Sequence, residues 1–228
     1  MSQSSRSAPA GPQYISVWDL PVRLVHWAIA VCFVTLLVTV RQGWMQAHFY
    51  AGYSLAALIV FRLIWGVLGT RYARFSSFRI TPKTLAGALR GLLRGETNRF
   101  AGHNPAGALM ALILLGTLGL QVASGLVYSD DVFWFGPLYF EASETLQQWA
   151  ALLHPRLPAL LLALVALHIL AVLYHRLRLR ESLVAAMVHG RKPWHDPTAA
   201  REPIGVVRFL LALLPAVALF IWLAAITV

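Results

Sequence analysis

Five apolar runs, at about 21–40, 48–69, 105–127, 155–175 and 206–227, are each long enough to cross the hydrocarbon core of a bilayer. A helix rises 1.5 Å per residue, so a spanning segment needs roughly 20 residues, which is what each run supplies. Transmembrane strands would alternate apolar and polar positions, and these runs do not. With 58% hydrophobic residues, 12% charged residues and a mean hydropathy of +0.65, the chain carries more apolar surface than a soluble domain of 228 residues needs. The sequence therefore predicts an all-α integral membrane protein. Residues 1–14 are polar and rich in Ser, Ala and Pro, and are expected to form a disordered tail without the pattern of a cleaved signal peptide. The single cysteine, Cys32, lies in the first run and says nothing about redox compartment.

The net charge of +10 is unevenly placed. Residues 70–104 carry Arg71, Arg74, Arg79, Lys83, Arg90, Arg94 and Arg99 against Glu96, and residues 176–205 add Arg176, Arg178, Arg180, Arg191, Lys192 and Arg201. The intervening loop, 128–153, has no Lys or Arg and contains Asp130, Asp131, Glu141 and Glu144. Basic loops stay on the cytoplasmic side, so the expected topology has the N-terminus cytoplasmic and, after five spans, the C-terminus periplasmic. Anionic lipid explains the basic balance, and no nucleic-acid partner is expected. Within the first basic loop, TPKTLAGALRGLLRG has the pattern of an amphipathic helix lying at the interface.

Topology gives each histidine a depth. His26 lies toward the cytoplasmic end of the first span, and His48 opens the second at the outer side. In the fourth, His154 is near the outer surface and His168 follows fourteen residues later. That spacing is about 21 Å along a helix and roughly four turns, so the two share a face. The result is two levels with two imidazoles each, His48 with His154 and His26 with His168. A lone metal ion between helices would want three or four ligands at one depth. Two axial nitrogens are what a haem iron needs, and the absence of CxxCH excludes covalent attachment. The competing reading is that such histidines pack helices by hydrogen bonding. Arg62, fourteen residues after His48, is on the same face and has no acid within the spans to pair with. A haem propionate would serve, and snorkelling is the alternative.

With these residues in place the chain resembles the bacterial cytochrome b561 family, which includes the b-type cytochrome subunit of nickel-iron hydrogenases. The likeness rests on VWDLPVRLVHW at 17–27, HFYAGYSLAALIVFRLIWGVLG at 48–69, GHNPAGALMAL at 102–112, and His154 and His168 followed by MVHGRKPW. The resemblance implies a four-helix transmembrane bundle over residues 15–194 holding two haems b, one between His26 and His168 and one between His48 and His154. Residues 195–228 then form a cytoplasmic linker and a fifth transmembrane helix. It also implies electron exchange with ubiquinone or menaquinone in a bacterial inner membrane, with a cytochrome or dehydrogenase as periplasmic partner.

The leading expectation is a quinone-linked electron-transfer protein. A variant within that class oxidises superoxide at the outer face and passes the electrons to quinone, with Arg41 and Arg156 available to attract an anion. From other classes, a haem-free metal or solute transporter would call for intramembrane carboxylates or broken helices, and a structural anchor would leave the histidine levels unexplained. His175, two turns beyond His168, is the candidate proton-exchanging group of a cytoplasmic quinone site, with Arg71 and Arg74 polarising a quinone oxygen. The alternative for the His175 region is an interfacial anchor. His103 is read as a helix-entry residue or a second propionate partner.

Overall fold

A computed structural model describes residues 13–96, 100–194 and 202–226. The expected disordered tail, apart from residues 13 and 14, and the linker at 195–201 lie outside them, as do Arg99 and Arg201. In chain order the elements are β1 (Gln13–Ser16), α1 (Leu20–Gln42), α2 (Met45–Leu68), a 3-10 turn (Phe75–Ser77), α3 (Pro82–Arg94), α4 (Pro105–Val127), α5 (Glu144–Leu153), α6 (Leu157–Leu177), α7 (Leu183–His189), β2 (Arg191–Trp194) and α8 (Val206–Ile226). Five helices, α1, α2, α4, α6 and α8, are long and apolar enough to cross a membrane. They match the five runs read from the sequence, and the chain is a multi-pass membrane protein.

Two features differ from expectation. Residues 13 and 14, placed in the tail, open β1, which pairs antiparallel with β2 in the register Ile15↔Lys192. This short ribbon joins the two ends of the 15–194 unit, and an all-α reading had no signal for so few residues. The fourth span starts later than residue 155. His154 caps the C-terminus of α5, and α6 begins at Leu157. Pro155 has no N–H to continue a helix, which ends α5, and Pro158 sits in the first turn of α6, where a missing N–H costs nothing. His154 and His168 are therefore on different helices, and the shared-face count does not apply to them.

Local chemistry sets the helix ends. Asp19 caps α1 through Oδ1, which accepts from the Val22 N–H at 2.9 Å. Asn104 caps α4 and Ser143 caps α5 in the same way. Thr81 and Thr84 form a reciprocal capping box on α3, the helix expected from TPKTLAGALRGLLRG. Gly43 closes α1 with φ of 69°, a left-handed conformation that a side chain disfavours. The turn is so tight that α2 starts two residues later.

The core lies between α1, α2 and α8. Val22, Val25, Phe61, Trp65, Ala212 and Ala216 are buried together with Ile15 and Val17 from the ribbon side. The fifth span packs along α2: Phe209 meets Phe61 and Trp65, and fully buried Leu223 packs with Tyr53 and Ala56. At its N-terminal end Arg208 pairs with Glu202 at 3.0 Å and reaches the Leu68 carbonyl. By contrast α1 and α6 are not closely packed against each other.

Asp19 joins these helices. Its Oδ2 accepts from Trp65 Nε1 at 2.9 Å and Thr70 Oγ1 at 2.7 Å, while Oδ1 caps α1. Asp19→Asn keeps the cap but turns an amide NH₂ toward the indole N–H, leaving a fully buried donor without an acceptor. The expected loss is about 1–3 kcal/mol, read as a lower thermal midpoint of the detergent-solubilised protein. An unchanged midpoint would show that the carboxylate does not bind these helices together.

Candidate functional site

The four histidines singled out in the sequence form two pairs. His26 on α1 faces His168 on α6 with ring centroids 6.4 Å apart. His48, in the first turn of α2, faces His154 at 6.5 Å. The His48–His154 pairing survives the break before α6 because α5 folds back against α4, where Gly125 gives the imidazole room. A Cβ at Gly125 would lie 2.7 Å from His154 Cε1, so this glycine is a close-approach position rather than a general thinning of the helix. Tyr128 stacks on the other side of the His154 ring, with centroids 5.0 Å apart.

Both separations suit one metal ion between opposed rings. An imidazole nitrogen sits about 2 Å from a first-row metal ion, and a ring centroid lies roughly 1 Å behind it, so two rings on one axis stand about 6 Å apart. No group of three or more His, Cys, Asp or Glu side chains converges as a metal site among the described residues, so each level offers two protein nitrogens. An iron whose remaining ligands come from a porphyrin matches that donor set.

Polar groups gather differently at the two levels. Beside His48, Thr39 Oγ1 is 3.3 Å from Nδ1. Beside His154, Nδ1 is 3.1 Å from the Gln121 carbonyl and 3.4 Å from Ser124 Oγ. At the other end, His26 Nδ1 is buried without a partner. There Arg62 stacks over Phe75 at 4.6 Å, and its Nη1 is buried and unpartnered. Gly66 makes this possible, because a Cβ would overlap the Phe75 ring. His103 joins the cluster, packed between Trp18 at 4.3 Å and Phe78 at 4.9 Å, with its own Nδ1 unpartnered. Burial first, then the neighbouring Arg62 and His168, push the His103 pKa down to about 3. Asp19 is the acid whose field reaches Arg62. Two unsatisfied buried donors beside one histidine pair suit an anionic group such as a propionate.

The candidate quinone residues fall into two places. His175 is buried, with Nδ1 3.2 Å from Glu181 Oε2, and Glu181 is 3.9 Å from Lys192 Nζ. A cavity of about 20 Å³, enough for a water, adjoins His175, Glu181, Glu96 and Asn104. Arg71 lines a separate cavity of about 550 Å³ with Asp19, Arg23 and Tyr72, and its N–H donates to Glu202. Arg74 pairs with Glu202 at 3.8 Å. No contact joins His175 to Arg71 or Arg74 among the described residues.

Sequence reasoning missed Thr39, Gln121, Ser124, Glu181 and Lys192. Gln121, the one amide side chain in α4, carried a usable signal, because a lone glutamine in a spanning helix needs a partner. Thr39 carried none, since its contact with His48 is made across a turn.

Residues 17–190 match the family model described as prokaryotic cytochrome b561. The probable Ni/Fe-hydrogenase B-type cytochrome subunit of Azotobacter vinelandii is 27% identical over 80% of this chain and 90% of its own length. The correspondingly named proteins of Bradyrhizobium diazoefficiens and Cupriavidus necator are each 24% identical, over 86% and 79% of this chain and 92% and 87% of their own lengths. No solved structure matches.

The His103 environment sets a pH dependence. Between about 3 and 6.5 the unfolded chain holds a proton on this imidazole and the folded chain does not, so stability falls as pH drops through that window. The contribution is at most about 1.4 kcal/mol per pH unit. Thermal midpoints from pH 7 to pH 5 should fall less steeply in His103→Phe than in the unaltered protein. Equal slopes would show that His103 is not held neutral.

Proposed function

The chain belongs to the prokaryotic cytochrome b561 family, as a membrane b-type cytochrome of electron transfer, and from that premise we propose that it holds two haems b and links the quinone pool to a periplasmic redox partner. The observation that carries this reading is the pair of opposed histidine levels, with ring centroids 6.4 and 6.5 Å apart. His26 and His168 hold the inner haem, and His48 and His154 hold the outer one. When bound, haem b would supply one-electron chemistry, with these histidines as the residues that hold it. Arg62, with its buried unpartnered Nη1, neutralises a propionate of the inner haem, and His103 donates beside it.

The orientation follows the charges. The basic loops face the cytoplasm of a bacterial inner membrane, the acidic loop faces the periplasm, and the C-terminus after α8 is periplasmic. The outer partner is a cytochrome or a dehydrogenase, and the hydrogenase in the names of the relatives makes a hydrogenase the foremost candidate. Ubiquinone or menaquinone is the substrate on the cytoplasmic side. There His175 exchanges the proton that accompanies quinone chemistry, held by Glu181 at 3.2 Å. Arg71 and Arg74 are the cations available to a quinone oxygen, around Glu202.

Reduced-minus-oxidised spectra of the purified protein should show b-type haem at two per chain. His26→Ala or His168→Ala should remove one haem, and His48→Ala or His154→Ala the other. Retention of both haems in any of the four variants would overturn the assignment.

For the quinone site, His175→Ala should keep both haems and accept electrons normally from a small artificial donor, while quinol reduces them at least tenfold more slowly, about 1.4 kcal/mol of barrier. Wild-type quinol kinetics in His175→Ala, with slow kinetics in Arg71→Gln, would move the headgroup to the larger cavity.

A further inference from the structure

The hydrogen bonds behind the two histidine pairs are unequal. Thr39 is buried, one turn before the end of α1, and its hydroxyl donates to the Thr35 carbonyl at 2.8 Å, with Leu36 at 3.2 Å. With that proton directed within α1, the oxygen 3.3 Å from His48 Nδ1 is placed to accept, and the Leu36 carbonyl is a second acceptor for the His48 ring. His48 must then carry its proton on Nδ1. His154 is placed differently, because its Nδ1 lies 3.1 Å from the main-chain oxygen of Gln121, an acceptor, and 3.1 Å from Gln121 Nε2, a donor. Ser124 Oγ donates to that same carbonyl at 2.9 Å, and Gln121 Nε2 reaches the His154 carbonyl at 3.2 Å. His48 is thus the Nδ1–H tautomer, which leaves its Nε2 for a metal. His26 Nδ1, buried at the other level, has no such acceptor.

An imidazole that donates its N–H to an acceptor is a stronger electron donor to the metal it ligates. A stronger axial donor favours the oxidised iron and lowers the reduction potential. Resting on the di-haem reading, we propose that the Thr39 hydroxyl is a positioning group that helps to hold the His48 tautomer and thereby lowers the potential of the outer haem. A lower outer potential would favour transfer of one electron from an outer haem to an inner one. The hydroxyl acts through His48 and touches neither quinone nor partner.

The test is redox potentiometry on the intact protein, with the two haems told apart by the spectra of His48→Ala and His26→Ala. Thr39→Val keeps the side-chain shape and removes the hydroxyl acceptor, leaving the Leu36 carbonyl. It should shift the outer midpoint upward and leave the inner one unchanged, and Thr39→Ser, which restores the hydroxyl, should return the outer midpoint to its original value. An unshifted outer midpoint in Thr39→Val with both haems bound overturns the proposal and leaves the di-haem reading standing. If Thr39→Val loses the outer haem, Thr39→Ser decides: retention at the original potential supports the role of the hydroxyl, and loss there too shows that packing alone was at stake. A wild-type protein without haem in the His48–His154 pair would defeat the functional reading itself.

Discussion

A polar group inside a bilayer has no water to fall back on, and the arrangement of this protein follows from where each such group finds a partner. Asp19 shows the rule most plainly. One carboxylate accepts from the first turn of α1, the indole of Trp65 and the hydroxyl of Thr70. It thereby sets the N-terminal end of α1 against the C-terminal end of α2. With α1 and α2 fixed in that way, and a two-residue turn at the opposite end, His26 and His48 are held near opposite ends of one rigid helix pair. α8 reinforces the pair from outside by burying Trp65 and Phe61 under Phe209.

The two histidine levels then differ in chemistry. At the His48–His154 end the groups within hydrogen-bond distance of the ring nitrogens, from Thr39, Gln121 and Ser124, are neutral. At the His26–His168 end the neighbours are Arg62 and His103, both with buried nitrogens that lack partners. One level is equipped to tune its ligands through hydrogen bonds and the other to hold an anionic group. Beyond the charged level lie two polar clusters, His175–Glu181–Lys192 and Glu202 with Arg71, Arg74 and Arg208.

Some of the site was legible in the residues and some was not. The four histidines could be sorted into two depths because topology follows from loop charge and depth follows from helix rise. The structure places the rings in those same pairs. The argument that His154 and His168 share a helical face does not hold, since prolines end α5 and α6 starts anew. His154 reaches His48 by a different route, through α5 folded on α4 and the space at Gly125. The ribbon of β1 and β2 was invisible because four-residue strands from opposite ends of a chain leave no periodic pattern.

The sequence by itself determined the spans, the uneven charge of the loops between them and the residue types able to ligate a metal. These depend on hydrophobic length, local charge and helical geometry, which act over a few turns. Only the tertiary structure decided which polar groups meet the ring nitrogens of His48 and His154, that Phe75 enters at Gly66 to lie under Arg62, and that α8 belongs to the bundle along α2. Those outcomes depend on contacts between residues distant in sequence or joined across a turn, and no local pattern encodes the angle at which two such groups meet.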